Sequence, residues 1–144
     1  MITEELVTRV AQAIAKAEGF DVPNSVPCRA NNPGDLTDDG DVGCGLIHTS
    51  GPAGAAITIY PDVSAGWQAL YRKVRRMLEG GSHTYPVRCT LMEVGLKYAG
   101  SAQWAMNVAK QLGVDTSTTL ADLVGQDMAQ QVAQSSGDIH LDES

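Results

Sequence analysis

Apolar residues recur at helical spacing through most of this chain, and one long stretch breaks the rhythm. Leu6, Val10, Ala13, Ile14 and Ala17 share one face of a helical wheel, with Glu5, Thr8, Arg9, Gln12 and Lys16 on the other. That pattern predicts an amphipathic helix over residues 3–18, stopped by Gly19. From Asp21 to Pro61 the periodicity gives way to Gly, Pro, Asn and Asp. Within it, Gly45–His48 and Ala55–Tyr60 are apolar or β-branched and predict two strands paired across Ser50-Gly51-Pro52. Helical spacing returns at Trp67, Leu70, Tyr71, Val74, Met77 and Leu78, in a helix capped by Ser64 and stopped by Gly80-Gly81. Three more helices are predicted: from Thr90 to about Tyr98, from Ser101 to Gly113 with Trp104, Val108 and Leu112, and from Thr118 or Thr119 onward with Leu120, Leu123, Val124, Met128 and Val132 apolar. The polar, acidic stretch Ser135–Ser144 is expected to fray as a flexible tail.

This order predicts a mainly α (α+β) fold of about five helices, with a small β-hairpin lobe in the N-terminal third and a ligand cleft between lobe and helices. A length of 144 residues suits a single domain, residues 1–134, followed by the tail at 135–144. No apolar run approaches membrane-spanning length, so membrane insertion is not expected. The start, Met1-Ile2-Thr3-Glu4-Glu5, has no basic and apolar leader.

Charge alters this picture in one region. A formal net charge of −7 argues against nucleic acid as a partner. Most of the positive residues nevertheless fall in one stretch, at Arg72, Lys73, Arg75, Arg76, Arg88 and Lys97, opposed there by Glu79 and Glu93. Two readings stay open for it, a local basic binding face and a solvated helix face. The three cysteines leave one unpaired in any disulfide scheme. A Cys28–Cys44 bond would brace the intervening loop and contribute about 3 kcal/mol in the chain-entropy model; the reduced pair is equally compatible with the sequence. A zinc site from Cys28, Cys44, His48 and Cys89 lacks the closely spaced Cys pairs of structural sites, so no metal is expected.

Candidate chemistry centres on Glu18. A carboxylate in the last turn of a helix meets the negative end of the helix dipole, and partial burial beside Phe20 would add a desolvation cost. Both favour the protonated form that a general acid needs near neutral pH. The sequence offers only Lys16 as a nearby cation. A polar turn follows at Asn31-Asn32-Pro33-Gly34-Asp35-Leu36. Trp67 and Trp104, at helical spacing, read as core; Tyr98 could pack its ring and point its hydroxyl into a cleft. Cys89 reads as a small buried residue, and His48, His83 and His140 have no nucleophile at a suggestive spacing.

Three motifs in order, Glu18-Gly19-Phe20, Asn31-Asn32-Pro33-Gly34-Asp35-Leu36 and Tyr60-Pro61-Asp62-Val63-Ser64-Ala65-Gly66-Trp67, together with Lys97-Tyr98-Ala99 and Ala109–Val114, resemble a lysozyme-like family of phage virion proteins and bacterial wall-degrading enzymes. The resemblance spans about residues 10–125. It implies a lysozyme-like fold and cleavage of the β-1,4 bond between N-acetylmuramic acid and N-acetylglucosamine. Glu18 would be the catalytic acid, Asn31, Asn32 and Asp35 would lie in the cleft, and Tyr60 and Tyr98 would line it. The partner would be peptidoglycan glycan strands, with chitin oligomers a further substrate. The protein would act as a monomer, without metal or cofactor, and would be delivered by a phage, a secretion system or a trimmed leader.

The chain also departs from the family. Asp35 stands where asparagine is usual, and Pro27 stands nine positions after Glu18, where phage-type muramidases carry an acidic or cysteine residue. The Glu-Ser pair of the soluble lytic transglycosylases is absent. A second catalytic carboxylate, if hydrolysis is the reaction, would be Asp35 or Asp62, with Asp35 on the loop facing Glu18 the better placed. A lytic transglycosylase needs Glu18 alone, because the C6 hydroxyl of muramic acid closes a 1,6-anhydro ring. Two non-enzymatic alternatives remain: a wall-binding or virion structural module that keeps the fold, and an interaction domain that presents Arg72–Arg76 to an acidic partner.

Overall fold

The computed structural model describes residues 2–37, 43–49 and 56–143, with side chains through residue 134. Its described residues form six helices and a two-stranded antiparallel hairpin: α1 (Glu4–Ala17), α2 (Val26–Arg29), β1 (Gly45–His48), β2 (Ala56–Ile59), α3 (Val63–Leu78), α4 (Leu91–Tyr98), α5 (Ala102–Leu112) and α6 (Leu120–Glu143). The fold is mainly helical with a small β element, as the periodicity predicts.

Local chemistry fixes the helix ends. Thr3, Thr90 and Ser101 cap α1, α4 and α5, each hydroxyl accepting a backbone N–H of the first turn, and Thr90 with Glu93 completes a capping box. The cap of α3 is Asp62, two residues before the expected Ser64: its carboxylate accepts from the Ala65 N–H at 2.8 Å. The additional helix α2 is a single turn inside the stretch without periodicity. Ser25 caps it by accepting from the Cys28 N–H, and the same hydroxyl donates to the Gly19 carbonyl at 2.7 Å, tying it to the end of α1. Backbone of α6 continues as helix to Glu143, through most of the stretch expected to fray. The expected hairpin turn at Ser50-Gly51-Pro52, and Ala55, lie outside the described residues.

One hydrophobic core joins the helices. Leu6, Val10 and Ile14 of α1 pack with Leu70, Val74 and Met77 of α3, Leu91 and Val94 of α4, Trp104 and Val108 of α5, and Leu120 of α6, all at most 4 % exposed. Burying each such side chain stabilises by about 1.5–3 kcal/mol before entropy is counted. Helix α1 lies against α3 and α5, and α4 lies against α5. A hydrogen bond of 2.9 Å from the Thr3 hydroxyl to Asp127 fastens α6 to the start of α1.

The hairpin is held to the helices by the segment before it. β1 pairs with β2 in the register Ile47 opposite Ile57, and Thr37 bridges the other edge of β2 at the same Ile57. Asn32 makes this attachment specific. It is fully buried, its amide donates to the carbonyls of Leu36 and Thr58 at 2.9 and 2.8 Å, and its oxygen accepts from the Leu36 N–H at 2.8 Å. Helix α3 then passes very close to the turn: a Cβ on Gly66 would stand 1.8 Å from the Asn31 carbonyl oxygen, so no larger residue fits there without moving backbone.

Candidate functional site

Glu18 occupies the C-cap of α1, and Gly19 follows it with φ +76°. The Phe20 N–H reaches the Ala15 carbonyl and the Gly19 N–H reaches the Lys16 carbonyl, at 3.1 Å each, which is a Schellman ending. Glycine takes this left-handed conformation without a Cβ clash, so the chain turns sharply just after Glu18.

Packing of α5 against α1 brings the Trp104 indole to the carboxylate. Its N–H donates to Glu18 Oε1 at 2.7 Å. Trp104 is core, as its spacing predicts, and it also holds the candidate acid. Its ring stacks on Tyr98 with centroids 4.9 Å apart, and the Tyr98 hydroxyl donates to the Gly34 carbonyl at 2.6 Å. A continuous path of contacts therefore runs from Glu18 through Trp104 and Tyr98 to the Asn-Asn-Pro-Gly turn.

Burial dominates the electrostatics of Glu18. Loss of hydration, reinforced by the charge of Asp35, pushes its pKa from 4.5 up to about 7; the Trp104 hydrogen bond and the Lys73 amine act in the opposite direction. The cation near Glu18 is therefore Lys73, 55 residues and two helices further along the sequence, and not the exposed Lys16. Burial also raises Asp35 above its ordinary 3.8. Asp35 starts lower and is moved by burial alone, whereas Glu18 is moved by burial and by Asp35 together. Both carboxyl groups are thus shifted towards their protonated forms, and Glu18 keeps its proton to near-neutral pH.

Asp35 sits in the left-handed region at φ +52°, which Asp and Asn tolerate better than most residues. Its Oδ1 is buried and has no hydrogen-bond partner among the described residues. Asn31, at φ +53°, donates to the Tyr60 carbonyl at 3.1 Å, linking the turn to the end of β2. Tyr60 is 1 % exposed and Asn32 0 %. The structure thus corrects the expectation that Asn32 contacts a ligand. Both of its amide protons and its oxygen are committed to backbone, so it shapes the turn instead. Of the other sequence candidates, Glu18, Asp35 and Tyr98 are brought into one electrostatic neighbourhood, and Asp62 is used as a helix cap.

A cavity of about 450 Å³ opens between the segment flanking the hairpin and helix α3, with Leu36, Thr37 and Tyr60 on one side and Lys73, Met77 and Tyr85 among the residues opposite. Tyr60 reaches it as part of the wall, with little surface exposed. Lys73 belongs to this wall and lies within electrostatic range of Glu18, whereas Glu18 and Asp35 are not among the residues that line the cavity. Its amine lies over the Tyr98 ring at 4.6 Å and over Tyr85 at 5.6 Å. Burial lowers the Lys73 pKa while Glu18 resists that shift; burial and then Glu18 raise Tyr85. Sequence reasoning placed Lys73 only within a basic stretch and did not single out Tyr85. The i, i+1, i+4 spacing of Arg72, Lys73 and Arg76 on the predicted helix was the available signal for a shared arc.

Cys28, Cys44 and Cys89 are free thiols, the first two exposed and the third buried. The bracing Cys28–Cys44 bond is therefore not formed, and Asn31 and Asn32 hold the loop by hydrogen bonds. Among the described residues no three His, Cys, Asp or Glu side chains gather as a metal site would require. Comparison of the chain with protein-family models, with curated proteins and with solved structures finds no match.

Proposed function

We propose that this protein is a peptidoglycan-degrading glycosidase of lysozyme type, with a lysozyme-like arrangement of its helices and hairpin. Glu18 protonates the glycosidic oxygen of the β-1,4 bond between N-acetylmuramic acid and N-acetylglucosamine. The observation that carries the reading is the Glu18 carboxyl at the end of α1, held by the Trp104 indole at 2.7 Å, with burial raising its pKa to about 7 and Asp35 within electrostatic range. The order of the Glu-Gly-Phe, Asn-Asn-Pro-Gly and Gly-Trp motifs supports it as a family resemblance. In hydrolysis Asp35 is the second group, acting as base or nucleophile once ionised.

Burial of Asp35 favours a second reading. A carboxylate whose pKa is raised by its surroundings is less available as an anion, and a lytic transglycosylase reaction requires only Glu18. Mass spectrometry of fragments released from purified peptidoglycan tests both. Release that disappears in Glu18→Gln is expected, with reducing ends for hydrolysis and 1,6-anhydro ends for transglycosylation. Full activity of Asp35→Asn would remove Asp35 from the mechanism. Saturable wall binding with no fragments released, unchanged in Glu18→Gln, would instead make the protein a binding or structural module.

A further inference from the structure

We infer that the cavity beyond Lys73 is an anion-binding subsite, which takes a carboxylate carried on a sugar of the glycan chain. The inference rests on the glycan reading of Glu18 and specifies which glycans that site accepts. Three cations of α3, Arg72, Lys73 and Arg76, line this one cavity, and among the described residues that line it there is no carboxylate. Such a concentration is not what the composition of a chain of net charge −7 would give by default. Low-dielectric walls around a single sign of charge focus the field on whatever enters.

The spacing of the cations explains their division of labour. Positions 72, 73 and 76 fall on one arc of the helix, whereas Arg75 turns away and pairs with Glu4. On their far side Arg72 and Arg76 also border a second hollow of about 430 Å³ together with Glu79. The Lys73 amine lies over the rings of Tyr98 and Tyr85, the second of which also lines the first cavity. The two exposed guanidinium groups can present paired N–H donors, a geometry that matches a carboxylate. Hydroxyls of Thr37 and Ser82 on the same walls suit the remaining oxygens of a sugar. A neutral N-acetylglucosamine chain brings no charge into the cavity to meet the three cations; a sugar bearing a carboxylate does.

Calorimetric titration of the full chain carrying Glu18→Gln, which does not consume its ligand, tests the subsite. Three probes distinguish the source of charge: a peptide-free tetrasaccharide of alternating N-acetylglucosamine and N-acetylmuramic acid, the same tetrasaccharide bearing its peptides, and neutral chitotetraose. The peptide-free acidic probe is expected to bind about tenfold tighter than chitotetraose. That ratio should fall towards one when Arg72→Gln and Arg76→Gln are added; both side chains are exposed, so the fold tolerates the change. A ratio near one before the arginines are replaced, a ratio unaffected by replacing them, or selectivity that appears only with the peptide-bearing probe would each overturn the inference. Fragment release by the unaltered protein reports separately on Glu18. Charge-selective binding without release would keep the subsite and remove the catalysis, and release without charge selectivity would do the reverse.

Discussion

Two helices of this protein end in the same way, and only one of the endings buries its glutamate. Helix α1 closes on Glu18-Gly19 and α3 on Glu79-Gly80; each glutamate is the C-cap in right-handed geometry, and each glycine follows with φ near +80°, at +76° and +82°. Both close with the same backbone hydrogen bonds, from Phe20 to Ala15 and from Gly81 to Arg76. The helix dipole therefore acts on both carboxylates alike and does not single out Glu18. The difference lies in tertiary packing. Glu79 is exposed, next to the hollow it shares with Arg72, Arg75 and Arg76. Glu18 is partly buried, with Trp104 of α5 donating to it and Asp35 and Lys73 within electrostatic range. A protonated acid near neutral pH is built by the surroundings of the helix end.

The largest effect that would break this contrast is on catalysis. Glu18→Gln should lower glycan release by about 10²–10⁴-fold, the usual contribution of a general acid, while Glu79→Gln leaves release unchanged in the same assay. Equal losses in the two variants would erase the distinction. Next in size is a pH-dependent stability. Glu18 is raised in the folded state, so folding favours its protonated form. Its cost to stability is absent below the unfolded value of 4.5, grows as pH rises, and is complete above the folded value of about 7. Glu18→Gln should therefore stabilise the protein by at most about 3 kcal/mol at pH 8 and by nothing at pH 4, measured by urea unfolding at each pH. A gain of the same size at both values would contradict burial as the cause.

Trp104→Phe sharpens the contrast further. Loss of the indole donor and of core volume should cost about 1–2 kcal/mol in urea unfolding. Because that hydrogen bond favours the ionised form of Glu18, its loss should also move the alkaline limb of the activity profile upward. A downward movement would show that Trp104 does not stabilise the carboxylate. The smallest effect concerns what the two ends share. Gly19→Ala and Gly80→Ala each impose a left-handed conformation on a Cβ-bearing residue, with no close atom to clash at either site. Both should cost about 1 kcal/mol, and a clear inequality in their unfolding midpoints would mean that the endings are not locally equivalent.

Most of the fold was legible because its helices are amphipathic and capped by residues with short polar side chains. Leu6, Val10 and Ile14 declare the buried face of α1, and Thr90 and Ser101 declare the starts of α4 and α5. Helix α2 was not read because one turn has no periodicity, although Ser25 with Pro27 in the first turn was the available sign. Glu18 stood out in sequence for its place before Gly19, but Glu79 occupies the same local pattern. Only long-range packing distinguishes them, and no spacing along the chain encodes that Trp104 or Lys73 meets Glu18. Asn32 shows the converse. Its polarity suggested contact with a ligand, while burial turned both of its amide protons and its oxygen inward to backbone.

Carboxyl-carbon NMR titration of the side-chain glutamates, with Glu18→Gln used to assign the resonance, follows the protonation of Glu18 without any assumption about substrate. A midpoint at about 7 is expected for Glu18. A midpoint in the ordinary glutamate range, near 4.5, would mean that burial and the charge of Asp35 do not hold the proton, and the general-acid role would fall with it.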